Sequence, residues 1–143
     1  MPDLKLERTF NADAKTVFGF VTETEHLLNW WGPEGMHVPE HDLDLTRLGP
    51  WHSVMVNADG GRYKVSGEVI EYDPPNGVSF TWAWHDENDQ RGNDTTVHFK
   101  VTPANNGGSQ FVLLHEGLAD DESVANHNTG WTSSFKKLER LDT

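Results

Sequence analysis

Leu4, Leu6 and Phe10 alternate with Lys5, Glu7 and Thr9 at the start of the chain, the two-residue period of a strand with one buried face. The period then changes. Ala14, Val17, Phe18 and Val21 recur at helical spacing behind Asn11 or Asp13, either of which can cap a helix. A second short helix over 24–30 holds Leu27, Leu28 and Trp31, and Gly32-Pro33 ends it, because proline cannot continue a helix and glycine accepts left-handed dihedrals. Six further strands are predicted at 36–45, 51–58, 62–72, 78–85, 94–102 and 109–116. Asp59-Gly60-Gly61 and Asn106-Gly107-Gly108 read as tight hairpins, Pro74-Pro75-Asn76-Gly77 as a turn, and 86–94 as a solvated loop. In the last stretch Val124, Trp131, Phe135, Leu138 and Leu141 mark one face of a long helix over 122–141. Gly130 interrupts that face and leaves room for a backbone or a ligand to come close.

The order strand, two short helices, antiparallel strands, long helix predicts an α+β fold of one domain over 1–143. Its sheet of six or seven strands has one apolar face, which the final helix covers. A strongly curved sheet cannot close completely on one helix, and the gap is the default ligand site.

Composition narrows the class. With 23 acidic and 11 basic residues the net charge is −12, which argues against nucleic acid or an anionic membrane as partner, since both are held through basic patches. Cysteine is absent, so there is no disulfide, thiolate zinc site or thiol nucleophile. No apolar run approaches the roughly 18 residues of a membrane span, and MPDLKLERTF lacks a signal-peptide core; a cytoplasmic protein is expected. Against this polar background stand six tryptophans: Trp30, Trp31, Trp51, Trp82, Trp84 and Trp131. They can build a solid core, an aromatic-lined cavity, or both.

Several segments together carry a resemblance: Thr24-Glu25-His26-Leu27-Leu28-Asn29-Trp30-Trp31-Gly32-Pro33, Leu48-Gly49-Pro50-Trp51, Gly67-Glu68-Val69 ahead of Pro74-Pro75, Val78-Ser79-Phe80-Thr81, and Gly130-Trp131 with Leu138 below. In these the chain resembles the activator-of-Hsp90-ATPase-like (AHSA1-like) branch of the START/Bet v 1 superfamily, also called SRPBCC. Leu48 departs from the Gly-Gly pair usual before the aromatic. The resemblance implies a helix-grip fold with a deep cavity between sheet and C-terminal helix. Relatives bind hydrophobic small molecules, cyclise polyketides or act as Hsp90 co-chaperone domains, and the family has no shared catalytic motif to transfer.

Strand alternation supplies the candidate cavity wall: Trp51 and Met55, with Ser53, on 51–58; Tyr63 and Val65, with Gly67 and Val69, on 62–72; Phe80, Trp82 and Trp84, with Val78, on 78–85; Phe99, with Thr95, Val97 and Val101, on 94–102; and Phe111, Leu113 and His115 on 109–116. The final helix adds His127, Trp131 and Phe135. His115, inward at a strand end, is a candidate general base or ligand partner, and Tyr63 a polar tip. His37 and His41 are four apart, but Pro39 lies between them, so no metal site is expected; no nucleotide-binding or serine-elbow motif occurs, and no cofactor is expected. The leading expectation is a non-enzymatic domain that holds an apolar, aromatic or polyketide-like molecule. The alternatives are a chaperone-associated interaction domain and a cyclase/aromatase-type enzyme using His115.

Overall fold

Each run of alternation becomes a strand in the computed structural model, which describes residues 2–142. The elements are β1 (Leu4–Phe10), α1 (Ala14–Thr22), α2 (Thr24–Trp30), β2 (His37–Asp42), β3 (Gly49–Val56), β4 (Arg62–Asp73), β5 (Gly77–Trp84), β6 (Thr95–Pro103), β7 (Ser109–Glu116) and α3 (Asp121–Glu139). One antiparallel sheet runs β1-β7-β6-β5-β4-β3-β2. Strands β2 to β7 form a continuous meander. β1 closes its far side on β7, with Leu4 opposite His115 and Phe10 opposite Ser109. The curved sheet wraps α3 in the helix-grip arrangement.

Local chemistry sets the boundaries. Asp13 caps α1 by accepting from the Thr16 amide, and Asp120 caps α3 by accepting from the Ser123 amide. Asp121 and Glu122 in the first turn of α3 and Lys136 and Lys137 in its last complement the helix dipole. β2 is shorter than the predicted 36–45 because Leu43 and Leu45 leave the sheet. The Leu43 carbonyl accepts from Thr24 Oγ1 and the Leu45 amide donates to the Thr22 carbonyl, which buries both leucines beneath the two short helices. β3 stops at Val56 rather than at 58, because Asn57 Oδ1 accepts from the Asp59 and Gly61 amides and starts the turn early. In α2, Leu27 is buried and Leu28 is not, contrary to the helix face predicted from sequence. The departure at Leu48 is harmless: Leu48 points to solvent and Gly49 alone takes the positive φ, 125°.

The strand faces follow the alternation closely. Trp51, Ser53 and Met55 of β3, Val65 and Val69 of β4, Val97, Phe99 and Val101 of β6, and Phe111, Leu113 and His115 of β7 are all buried toward α3. Gly67 marks a place where a side chain could not stand on this sheet: a Cβ there would collide with the Thr81 carbonyl on β5. That carbonyl accepts instead from Trp51 Nε1 at 3.2 Å.

A candidate ligand cleft between α3 and the sheet

The space between α3 and the sheet is filled at one end and open at the other. At the filled end Trp30 reaches in from α2, with ring centroids 6.0 Å from Phe99 and 6.2 Å from Phe135. Phe80, Phe99, Phe111 and Phe135 continue the contact at centroid separations of 5.1, 5.3 and 5.4 Å. Most of these pairs are edge-on, the geometry favoured by the ring quadrupoles.

The open end is a cleft of about 530 Å³. Its sheet wall is Met55, Tyr63, Trp82 and Trp84; its helix wall is Ser123, Asn126, His127, Gly130, Trp131 and Ser134; and Trp31, Gly32 and Pro33 form a lip. Ala119, Asp120 and Glu122 edge the mouth. The lip is stapled to α3: Lys137 Nζ donates to the Trp31 and Pro33 carbonyls at 3.4 Å, the Glu34 amide donates to Ser133 Oγ at 2.8 Å, and Arg140 pairs with Glu34. Burial pushes the Lys137 ammonium below its ordinary pKa. Gly130 leaves the helix wall bare. A Cβ placed on it would meet only Pro33 Cγ, at 3.9 Å, so the missing side chain leaves space toward the lip rather than drawing the helix onto the sheet.

Hydrogen bonds fix the polar groups around the cleft. Trp84 Nε1 donates to His127 Nε2 at 3.0 Å, so the His127 proton is on Nδ1, which donates to the Ser123 carbonyl at 2.8 Å. Thr95 Oγ1 donates to the Trp82 carbonyl and therefore accepts from His115 Nε2, at 2.7 Å. Trp131 Nε1 donates to His115 Nδ1 at 3.2 Å. His115 is thus a neutral Nε2–H imidazole with both nitrogens occupied. Burial first, and the His127 ring beside it second, lower its pKa to about 3. One donor has no partner: among the described residues Trp82 Nε1 is a buried side-chain polar atom that makes no hydrogen bond.

Of the candidate wall residues, Met55, Tyr63, Trp82, Trp84, His127 and Trp131 line the cleft. Trp51, Val65, Phe80, Phe99, Phe111, Leu113 and Phe135 lie behind it in the packed core, with the buried His115 beside them. Alternation identifies the face of the sheet; how far along that face the space remains open depends on the bulk of Trp30 at one end and on Gly130 and the lip at the other. His115 stands one layer behind the wall with no free lone pair, which leaves it no means of taking a proton from a bound molecule. Tyr63, 45% exposed, is at the rim. The sequence reading missed the lip and the polar first turns of α3. The Trp31-Gly32-Pro33 run was the available signal for the lip.

His37 and His41 lie on the exposed edge strand β2, with a register irregularity between His37 and Glu40. No helix among the described residues is long and apolar enough to cross a membrane.

Comparison with known proteins agrees with this geometry. An AHSA1 protein from Silicibacter pomeroyi superposes with a TM-score of 0.94 at 51% identity, over 98% of this chain and 96% of that one. A protein from Chromobacterium violaceum superposes with a TM-score of 0.84 at 21% identity, over 99% and 98%. One from Mycobacterium smegmatis gives 0.81 at 21% identity, over 99% and 90%; these last two share the fold. No curated protein matches the chain. The family model described as activator of Hsp90 ATPase homolog 1-like protein matches residues 11–141, and with the sheet, grip helix and Trp-Trp-Gly-Pro lip in place the chain belongs to the AHSA1 family.

Proposed function

We propose that this protein is a small-molecule binding domain that holds a flat, neutral, aromatic molecule in the cleft between α3 and the sheet. The observation that carries the reading is the wall itself: Trp31, Trp82, Trp84 and Trp131 face a space of about 530 Å³ that Gly130 leaves unfilled. Such a cleft, apolar with a few placed polar groups, is the usual form of a ligand site. Trp82 Nε1 is sealed from the cleft as well as unpaired, so the polar contacts open to a ligand are the side chains of Ser123, Asn126 and Ser134 on the helix wall. Asp120 and Glu122 at the mouth disfavour an anion. The cyclase reading through His115 loses its base, since both ring nitrogens are held by Thr95 and Trp131. Chaperone association is the alternative that the family name carries.

The test is a titration with 2-naphthol followed by amide and indole N–H shifts and by calorimetry. Saturable shifts centred on His127, Gly130, Trp131 and the Trp82 indole are expected. Shifts scattered over the outer sheet face, or no saturation, would reject the reading.

A further inference from the structure

The outward face of the sheet carries a second arrangement, unrelated to the cleft under α3. Ser66 stands on β4 between the inward positions Val65 and Gly67. His85 follows β5 on the same outward parity as Ser79, Thr81 and Ala83. His85 Nε2 lies 2.6 Å from Ser66 Oγ, and His85 Nδ1 lies 2.8 Å from Asp89 Oδ1. Arg91 Nε lies 3.1 Å from the same Ser66 Oγ. For a neutral His85 the directions follow. A carboxylate only accepts, so Nδ1 carries the proton; a guanidinium only donates, so Oγ accepts from Arg91 and gives its own proton to Nε2. Hydrogen bonds from Lys64 and then His85 hold the Asp89 carboxyl below its ordinary pKa, which keeps it the acceptor.

The supporting loop is built rather than loose. The Asp86 carboxylate accepts from the Asn88 and Gln90 amides, the Asp89 amide donates to the Asp86 carbonyl, and Asp89 takes a φ of 61°. His85 and Arg91 pair across the base of the loop. Beside Ser66 is a separate cleft of about 430 Å³, walled by Pro50, Ile70, Thr81, Glu68, Arg91 and Asp94 among others.

We infer that Ser66, His85 and Asp89 form a nucleophile–base–orienting carboxylate set that hydrolyses small, neutral carboxylic esters in this cleft. Pro50 and Ile70 give the acyl or alcohol part an apolar surface, while Glu68 and Asp94 repel an anionic substrate. Ser66 Oγ attacks the acyl carbon as its proton passes to His85 Nε2. The carbonyl π electrons move to oxygen, and the oxyanion develops beside the Arg91 guanidinium. Collapse breaks the bond to the alcohol oxygen, which takes the proton from His85 and leaves an acyl-Ser66. Water then adds by the same route, releasing the carboxylic acid and restoring Ser66. The balance is ester plus water to acid plus alcohol. Asp89 is a positioning residue, acting through His85.

A second set serves as an internal control. Ser79 Oγ, His98 and Glu116 show similar distances, 2.7 and 2.6 Å. Ser79, however, is 6% exposed and belongs to neither cleft.

The experiment combines a fluorophosphonate probe, located by peptide mapping, with hydrolysis of p-nitrophenyl acetate. Each variant's melting curve confirms that it folds. One adduct on Ser66 is expected, absent in Ser66→Ala. His85→Gln should slow labelling and hydrolysis by about 100-fold or more, the usual loss on removing a general base. Asp89→Asn should lower kcat with little change in KM, and Asp89→Glu should recover part of it. Ser79→Ala, outside both clefts, should leave both readouts unchanged. No adduct on Ser66, adducts spread over surface side chains, or an unchanged rate in His85→Gln would overturn it.

Discussion

The two ends of the space under α3 use the same material to opposite effect. At the closed end Trp30, Phe80, Phe99, Phe111 and Phe135 meet at centroid separations of 5.1 to 6.2 Å and leave no room. At the open end Trp31, Trp82, Trp84 and Trp131 are as bulky, yet a cleft of about 530 Å³ survives. The difference lies in what faces them. α2 inserts Trp30 into the closed end, whereas the open end is faced by Gly130 and by a lip ending in Pro33. Aromatic content therefore says little about whether a cavity exists; the small residues opposite the rings decide it.

The largest effect expected tests that contrast directly. Phe99→Ala, in the closed end, should cost about 3–5 kcal/mol in urea unfolding. Trp84→Ala, at the half-exposed open end, should cost about 1–2 kcal/mol, because surrounding water replaces much of what is lost. Trp131→Ala belongs with Phe99 in stability and with Trp84 in binding: it is 5% exposed, lines the cleft and touches Phe99 and Phe135. It should cost about 3–5 kcal/mol and abolish 2-naphthol binding. Equal penalties at Phe99 and Trp84 would break the distinction between the two ends.

How far the sequence reaches is visible in the same residues. Strand parity places Phe99 and Trp84 correctly on one face, because a half-buried strand must alternate. It cannot separate core from cleft, since that depends on Trp30 and Trp31 arriving from α2 across a long sequence separation. The polar wall residues Ser123 and Asn126 were invisible for another reason: at a helix start, such side chains read as solvent-facing. Ser66, His85 and Asp89 were legible only through the β4–β5 register, in which Ser66 lies opposite Ala83 and so within reach of His85 two residues on. The hairpin pattern located the strands and left that register open.

The next effect concerns acid. The neutral His115 behind the wall has its pKa lowered from 6.5 to about 3 on folding. Between those values the unfolded chain binds a proton that the folded one refuses, so stability falls as pH falls, by about 1.4 kcal/mol per unit for one such group. About 2 kcal/mol should be lost between pH 6.5 and 5. His127, whose pKa burial also lowers, adds to the slope. His115→Gln should show a distinctly shallower dependence of unfolding free energy on pH across this window. An unchanged slope would mean that His115 is reached by solvent and is not walled in behind the cleft.

The smallest effect is at Gly130. Gly130→Ala should raise stability by up to ~1 kcal/mol, the helix-propensity difference, since the added methyl meets nothing closer than Pro33. Gly130→Leu should fill the cleft and weaken 2-naphthol binding while leaving the closed end unaltered. Destabilisation by Gly130→Ala would show that the helix and lip already touch there.

The tryptophan cluster also has an optical consequence. Trp31, Trp51, Trp82 and Trp131 have ring centroids 5.1 to 6.1 Å apart where they pair, with Trp31 nearly perpendicular to Trp51 and Trp131. At such separations excitation energy passes between indoles faster than any one of them emits, so the group behaves as a single chromophore. Light absorbed at Trp51, behind the wall, is emitted from whichever ring has the lowest excited state, including the rings that border the cleft. Ultraviolet emission of the unlabelled chain is therefore weighted toward this end of the molecule, and substituting one indole redistributes the signal of the others rather than subtracting a fixed share.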